Sequence, residues 1–288
     1  MRFSISKLLP DSLQDPWVNA RKALLNTGLD IADAWDALLG RRRPLVPPRR
    51  LSRSIGGSFE RVGSEFLRHF VSLGSLNPDE SLLDVGCGVG RMAVPLTGYL
   101  NRAGHYEGFD IMRDAVEWCS RTITPAYPNF RFQWAAVYNR EYNPHAPTLA
   151  KDYKFPYQDA SFDFVFLTSV FTHMLPEDVA NYMREIRRVL KPGGRCLISW
   201  FVLDQRSRAS MAEGRAIFNF HHAISGCFTA RPSLPEAAIA YDLDAVLELY
   251  RQANLSPPQI FPGQWRGDAE SLSGQDVLLS HADGDSPK

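Results

Sequence analysis

The stretch LLDVGCGVGR, from Leu82 to Arg91, decides the fold of this chain. The apolar run over Ser81–Val85 has the length of a buried strand, and three closely spaced glycines follow it. Gly86, Gly88 and Gly90 let the backbone turn sharply and approach a ligand with no Cβ in the way. A helix beginning near Arg91 then directs its N-terminal amides at whatever binds there. About 20 residues further on, a second strand over Tyr106–Phe109 leads to Asp110. A carboxylate at that strand end is placed to accept hydrogen bonds from two vicinal hydroxyls, as on a ribose.

Dinucleotide-binding proteins share both features, so the details of the loop matter. Its glycines run G-x-G-x-G, not G-x-G-x-x-G, and an acid, Asp84, stands on the strand just before them. A negative group beside the loop repels a pyrophosphate. It suits a ligand bearing an ammonium group, such as the methionine end of S-adenosyl-L-methionine. The same carboxylate is also able to cap the amides of its own loop, and the two roles are compatible.

Outward from the loop, strands and helices alternate between about Ser58 and Trp200. Phe59–Leu73 carries Val62, Phe66, Phe70 and Leu73 on one helical face, and Arg91–Leu100 and Arg113–Arg121 also read as helices. Phe130–Ala135 is a third strand. Phe162–Leu167 is a fourth, almost wholly apolar, as a strand buried on both faces is. Over Pro176–Leu190 the residues Val179, Tyr182, Met183, Ile186, Val189 and Leu190 share a face, with acids at the start and arginines at the end to match the helix dipole. Pro192-Gly193-Gly194 stops that helix, and Arg195–Phe201 is the fifth strand. This rhythm implies parallel pairing with right-handed crossovers, a doubly wound α/β sheet with its ligand at the carboxyl ends of the strands. A less regular stretch runs to about Ala240, followed by a helix at Leu243–Ala253 and strands at Gln259–Phe261 and Asp276–Leu279. The expected organisation is an N-terminal extension over 1–55, a main domain over 56–280 with a substrate-side insertion at 204–240, and a disordered polar tail over 281–288.

The extension holds two helix-like pieces, Trp17–Leu25 and Leu29–Leu39, and then RRRPLVPPRRLSR from Arg41 to Arg53. Six arginines, three prolines and no acid make this an extended basic connector, since the prolines forbid a continuous helix. It reads either as a solvated linker or as a surface for an acidic substrate or membrane headgroups. The chain as a whole, 288 residues with a formal net charge of zero, has no global pull towards nucleic acid or an anionic membrane. No stretch is apolar enough to span a bilayer, and Met1–Pro10 lacks the core of a signal peptide. Cys87, Cys119, Cys196 and Cys227 form no C-x-x-C pair, so neither a zinc site nor a disulfide framework is expected. A reducing, cytoplasmic location follows from that usage as an expectation.

Four segments taken in order carry a resemblance: LLDVGCGVGR, YEGFD (Tyr106–Asp110), FPYQDASFDFVFLTSVFTHM (Phe155–Met174) and REIRRVLKPGGRCLISW (Arg184–Trp200). Together, over roughly Glu80 to Phe201, they resemble a class I methyltransferase of the methyltransferase-11/25 type. VYNREYNP (Val137–Pro144) and the terminal GQDVLLS (Gly274–Ser280) are similar to a bacterial subset of that family, the latter as the antiparallel last strand of its seven-stranded, mostly parallel, Rossmann-like sheet. The resemblance implies that Asp84 and the Gly86–Gly90 loop, Cys87 included, hold the methionine moiety of S-adenosyl-L-methionine. It implies that Asp110 binds the ribose and that Ile111 and Met112 lie beside the adenine. The chain departs from the family where Ala135–Lys154 inserts a loop rich in Tyr and Asn in place of an acid close behind the third strand; Asn139 and Asn143 read as turn residues there or as amide donors to the adenine.

Methyl transfer from a sulfonium needs the nucleophile and methyl brought together in a desolvated pocket, and a base only where the nucleophile must lose a proton. His173, just past the fourth strand in TSVFTHM, is the candidate base, because an unperturbed imidazole titrates at about 6.5. Its other reading is a cap or lining residue. Thr168 and Ser169, at the strand end, line the cofactor pocket. In RAIFNFHH (Arg215–His222) the aromatic residues read as a face covering the core or as a lid over the substrate, and His221-His222 has no third ligand within range, so no metal is expected. The resulting expectation is an enzyme that methylates a small molecule, for instance a hydroxyl of a sugar or lipid-linked natural product. A non-catalytic binding module and a nicotinamide-dependent oxidoreductase are the alternatives.

Overall fold

A computed structural model describes residues 16–282, except 42, 54, 141 and 268–270. The chain divides into two compact units, Met1–Gly56 and Gly57–Lys288.

In the first unit, α1 spans Pro16–Leu38 without a break. The two expected pieces are one helix, with Gly28 inside it at the ordinary glycine penalty of about 1 kcal/mol. The basic stretch that follows is not wholly extended either. Once Pro47 and Pro48 are passed, Arg49–Ser52 forms a single helical turn, α2. Its backbone and side chain fold onto the acids of α1: the Arg49 amide donates to Asp33 Oδ2 at 2.8 Å, and its guanidinium pairs with Asp33 at 3.0 Å and with Asp36.

The second unit begins with α3 (Phe59–Ser72), whose Ser58 cap accepts from the Arg61 amide. Then follow β1 (Ser81–Val85), α4 (Ala93–Thr97), β2 (His105–Asp110), α5 (Arg113–Thr122), β3 (Phe130–Trp134), β4 (Phe162–Leu167), α6 (Pro176–Val189) and β5 (Leu190–Trp200). After these come β6 (Val202–Leu203), α7 (Gln205–Ala212), β7 (His222–Ile224), β8 (Cys227–Thr229), β9 (Ile239–Asp242), α8 (Leu243–Gln252), β10 (Gln259–Phe261) and β11 (Asp276–His281). The main sheet has seven strands in the order β10-β11-β5-β4-β1-β2-β3. β1 to β5 pair in parallel, and β11 is antiparallel to both of its neighbours. The strand order reverses between β1 and β4, so a crevice opens beyond their carboxyl ends.

Three details differ from the sequence reading. β5 starts at Leu190, immediately after α6, so the Pro-Gly-Gly turn is absorbed into the strand as an irregularity opposite β4. β11 continues to His281, which pairs with Arg195; residues 283–288 of the expected tail lie outside the described residues. The stretch after Phe201 is not irregular: β6, β9, β8 and β7 form a second, four-stranded sheet. It has its own core of Phe201, Met211, Phe220 and Trp265, so the aromatic residues of RAIFNFHH cover a core and do not form a free lid. The two sheets are joined by a buried charge. Asp276 accepts from the Gly263 and Val202 amides at 2.8 Å, from Trp265 at 2.9 Å and from Arg266 at 2.6 Å, and Arg266 reaches on to Asp204, the cap of α7.

The long loop after β3 is held by α6. Asn181 donates to the Ala150 and Tyr153 carbonyls, Glu185 accepts from the Phe155 amide, and Arg188 binds the Phe155 and Tyr157 carbonyls. Asn139 and Asn143 exchange backbone hydrogen bonds at 3.2 and 3.0 Å, and the Asn139 side chain accepts from the Tyr142 amide, so their backbones close a turn.

Candidate active site

At the carboxyl end of β1 the Asp84 carboxyl is buried. Its Oδ2 accepts from the Tyr106 hydroxyl at 2.6 Å, whereas its buried Oδ1 has no hydrogen-bond partner among the described residues. Burial pushes its pKa up to about 8; the Tyr106 bond works against that rise and the nearby Asp110 charge adds to it. Asp84 does not cap the glycine loop. Asp110 takes that role, with Oδ2 accepting from the Gly88 amide and Oδ1 from the Met112 amide, both at 2.7 Å. The end of β2 thereby fixes the loop after β1. Burial raises the Asp110 pKa, opposed by the backbone amides of Met112, Gly88 and Ile111.

The loop itself is a cradle. Gly86, at φ +83°, faces Val170, and a Cβ there would lie 2.5 Å from that side chain; a Cβ on Gly88 would meet nothing closer than Asp110 at 4.0 Å. So the loop after β1 and the loop after β4 are in contact, with open space above Gly88. The Cys87 thiol, buried, is pushed well up by desolvation and stays protonated. Ile111 and Met112, which follow Asp110, are half-buried. The Trp134 indole donates to the Ile111 carbonyl at 3.1 Å, and the Arg113 guanidinium stacks over that ring at 5.3 Å. Neither Tyr106 nor Trp134 was singled out by the sequence, because a lone aromatic in a strand reads as core.

Beyond β4, Thr168 is half-buried and Ser169 is exposed with a left-handed backbone, φ +59°. Its amide donates to Ser199 Oγ at 2.7 Å, and both serine hydroxyls donate to Gln275 Oε1, at 3.0 and 2.7 Å. Gln275 Nε2 reaches the buried Thr172 hydroxyl at 3.5 Å. One residue further, His173 Nδ1 lies 2.8 Å from the Glu236 carbonyl. A carbonyl only accepts, so Nδ1 carries the proton and the lone pair of the neutral ring is on Nε2. The Tyr241 hydroxyl donates to the Met174 carbonyl at 2.6 Å. The stretch between β6 and α8 therefore anchors the His173 loop at two points.

This geometry has counterparts in known proteins. Residues 83–198 match the family model described as a methyltransferase domain. Over that segment the chain is similar to a methyltransferase domain. It is 30% identical over 128 residues to the 27-O-demethylrifamycin SV methyltransferase of Amycolatopsis mediterranei, a match covering 44% of this chain and 41% of that protein. It is also 30% identical over 185 residues to methyltransferase GfsG of Streptomyces halstedii, covering 63% and 59%. The chain thus spans about half the length of the curated relatives it matches. Among solved structures, a SAM-dependent methyltransferase from Methanosarcina mazei aligns with a TM-score of 0.50 at 20% identity, over 75% of this chain and 98% of that one. The [4+2]-cyclase SpnF aligns with a TM-score of 0.50 at 18% identity, over 77% and 81%. At such identities the likeness is one of fold. The antiparallel β11 between β5 and β10 separates this sheet from the 3-2-1-4-5-6 order of dinucleotide-binding proteins.

Proposed function

We propose that the domain transfers the methyl group of S-adenosyl-L-methionine to a hydroxyl of a small molecule. The observation that carries this reading is the buried Asp84 Oδ1, which has no hydrogen-bond partner among the described residues, on the strand that leads into the glycine loop. A lone acceptor in a desolvated site fits an ammonium group, and no pyrophosphate would seat against it. Asp84 and Gly86–Gly90 would hold the methionine moiety, Asp110 the ribose, and Ile111 and Met112 the adenine, with Cys87 and Thr168 lining the pocket. The cofactor supplies a methyl group on a sulfonium, ready for in-line displacement. His173 is assigned the proton of the acceptor hydroxyl, taken at Nε2, while the Glu236 carbonyl holds Nδ1–H and steadies the imidazolium that forms. That Glu236 comes from the 204–240 stretch supports this stretch as the acceptor-selecting element. The names of the matched relatives, O-methylation among them, favour a hydroxylated natural product as acceptor. Four free, buried cysteines favour a reducing compartment, the cytoplasm.

Calorimetric titration with S-adenosyl-L-methionine and S-adenosylhomocysteine tests the cofactor; a folded sample that binds neither sinks the proposal. With a panel of hydroxylated acceptors, His173→Ala is expected to lower turnover by about 10²-fold or more at unchanged cofactor affinity. Unchanged turnover removes His173 as the base, and cofactor binding with no transfer to any acceptor points to a non-catalytic module.

A further inference from the structure

Six of the twelve large apolar side chains that stand well exposed among the described residues fall within Leu24–Leu39, in and just past α1. Leu24, Ile31, Trp35 and Leu38 are spaced by seven, four and three residues, which puts them on one side of the helix. They are 75%, 54%, 59% and 77% exposed. Asp30, Asp33 and Asp36 lie on the opposite side, and there α2 is bound: Arg49 holds Asp33 and Asp36, and Arg50 lies 3.6 Å from Asp30. The polar face of α1 is therefore occupied within its own unit, whereas the apolar stripe is left uncovered by α2.

Charge identifies what the stripe meets. Residues 1–56 hold ten Lys and Arg against five Asp and no Glu, a charge of +5. Because the whole chain is neutral, residues 57–288 carry −5. The arginine run starts at Arg41, two residues past Leu39, so cations flank the end of the stripe. A helix with Trp and Leu on one face and a concentrated positive charge beside it has the composition of an interfacial helix that lies on an anionic bilayer. We propose that α1 and the basic turn after it dock this protein on an anionic lipid surface. This goes beyond methyl transfer and does not rest on it.

The test is co-sedimentation of the full-length chain with vesicles of phosphatidylcholine alone and of phosphatidylcholine with phosphatidylglycerol. Wild type is expected to bind the anionic vesicles, to ignore the zwitterionic ones, and to be released by high salt. Trp35→Glu should weaken binding by roughly tenfold or more, by placing a charge in the apolar face. Arg41→Ala should weaken it about fivefold, the share of one interfacial cation. Both variants should keep wild-type affinity for S-adenosylhomocysteine or, if that ligand does not bind, the wild-type melting temperature. A folded wild type that binds neither vesicle overturns the proposal, as does binding that Trp35→Glu leaves intact. A dimer in sedimentation equilibrium that Trp35→Glu converts to monomer, with no vesicle binding by either, assigns the stripe to a second copy of the chain and also overturns it.

Discussion

Asp84 shows how burial of one side chain governs its protonation. Its folded pKa, about 8, lies above the ordinary 3.8, so between those values the folded protein without ligand binds more protons than the unfolded chain. Stability therefore falls as pH rises through that interval, by up to about 1.4 kcal/mol per unit, and levels off above it. An ammonium group against Oδ1 favours the ionised form and would expel the proton. Affinity for S-adenosyl-L-methionine is thus expected to rise as pH goes from 6 to about 8, with proton release visible as a binding heat that depends on the ionisation heat of the buffer. Asp84→Asn should cost roughly 100-fold in affinity and remove the proton release, yet make the ligand-free protein more stable than wild type at pH 9 and equal to it near pH 4. If the Asp84→Asn variant melts no higher than wild type at pH 9, the buried-charge account is contradicted. From the sequence, Asp84 stood out as a candidate ligand residue through its place before the glycines. That its second oxygen is consumed by Tyr106 was not, because the two residues stand 22 apart and meet only through the register of β1 with β2.

Between elements, the loop after β4 is set by a residue just ahead of a distant strand, β11. Ser169 keeps a left-handed backbone that costs a non-glycine residue about 1 kcal/mol. Its amide bond to Ser199 and the convergence of both hydroxyls on Gln275 offset that cost. Gln275→Ala is expected to destabilise the protein by about 1 kcal/mol and to speed amide hydrogen exchange over 169–174 roughly tenfold, leaving β4 and β5 protected. Gln275→Glu should restore protection, since a carboxylate accepts from the same hydroxyls. Exchange unchanged in the alanine variant would mean that the Tyr241 and Glu236 contacts hold the loop without it. The elements themselves were largely visible beforehand. α6 and β4 declare themselves by period and by unbroken hydrophobicity, and β11 by its terminal motif. The second sheet was hidden because β6 to β9 are two to four residues long, too short for any alternation to register, and their partners are remote in sequence. The Asp276–Arg266–Asp204 cluster was hidden for the same reason: ion pairs between separate elements leave no spacing to read.

Across the whole molecule, the chemistry and the unequal charge occupy different stretches of chain. Asp84, Gly86–Gly90, Asp110, Gln275 and His173, with every hydrogen bond described for them, lie within 57–288, whereas the +5 charge and the exposed apolar helix lie within 1–56. If the proposed methyl-transfer site lies in one unit and the proposed docking surface in the other, a cut between the units separates the two. Arg41, Arg49, Arg50 and Arg53 are substrates for trypsin just ahead of the boundary at Gly56. The arginines and lysines of the second unit that carry structure are shielded, Arg195 and Arg266 by burial and Arg188 by Glu185 and Asp159. Brief trypsin treatment is therefore expected to release a stable fragment beginning near Ser54, which keeps the S-adenosylhomocysteine affinity of the intact chain within about twofold and loses binding to anionic vesicles. If the fragment instead loses cofactor affinity tenfold or more while its melting remains cooperative, the first unit contributes to the pocket, and the division of labour drawn here is wrong.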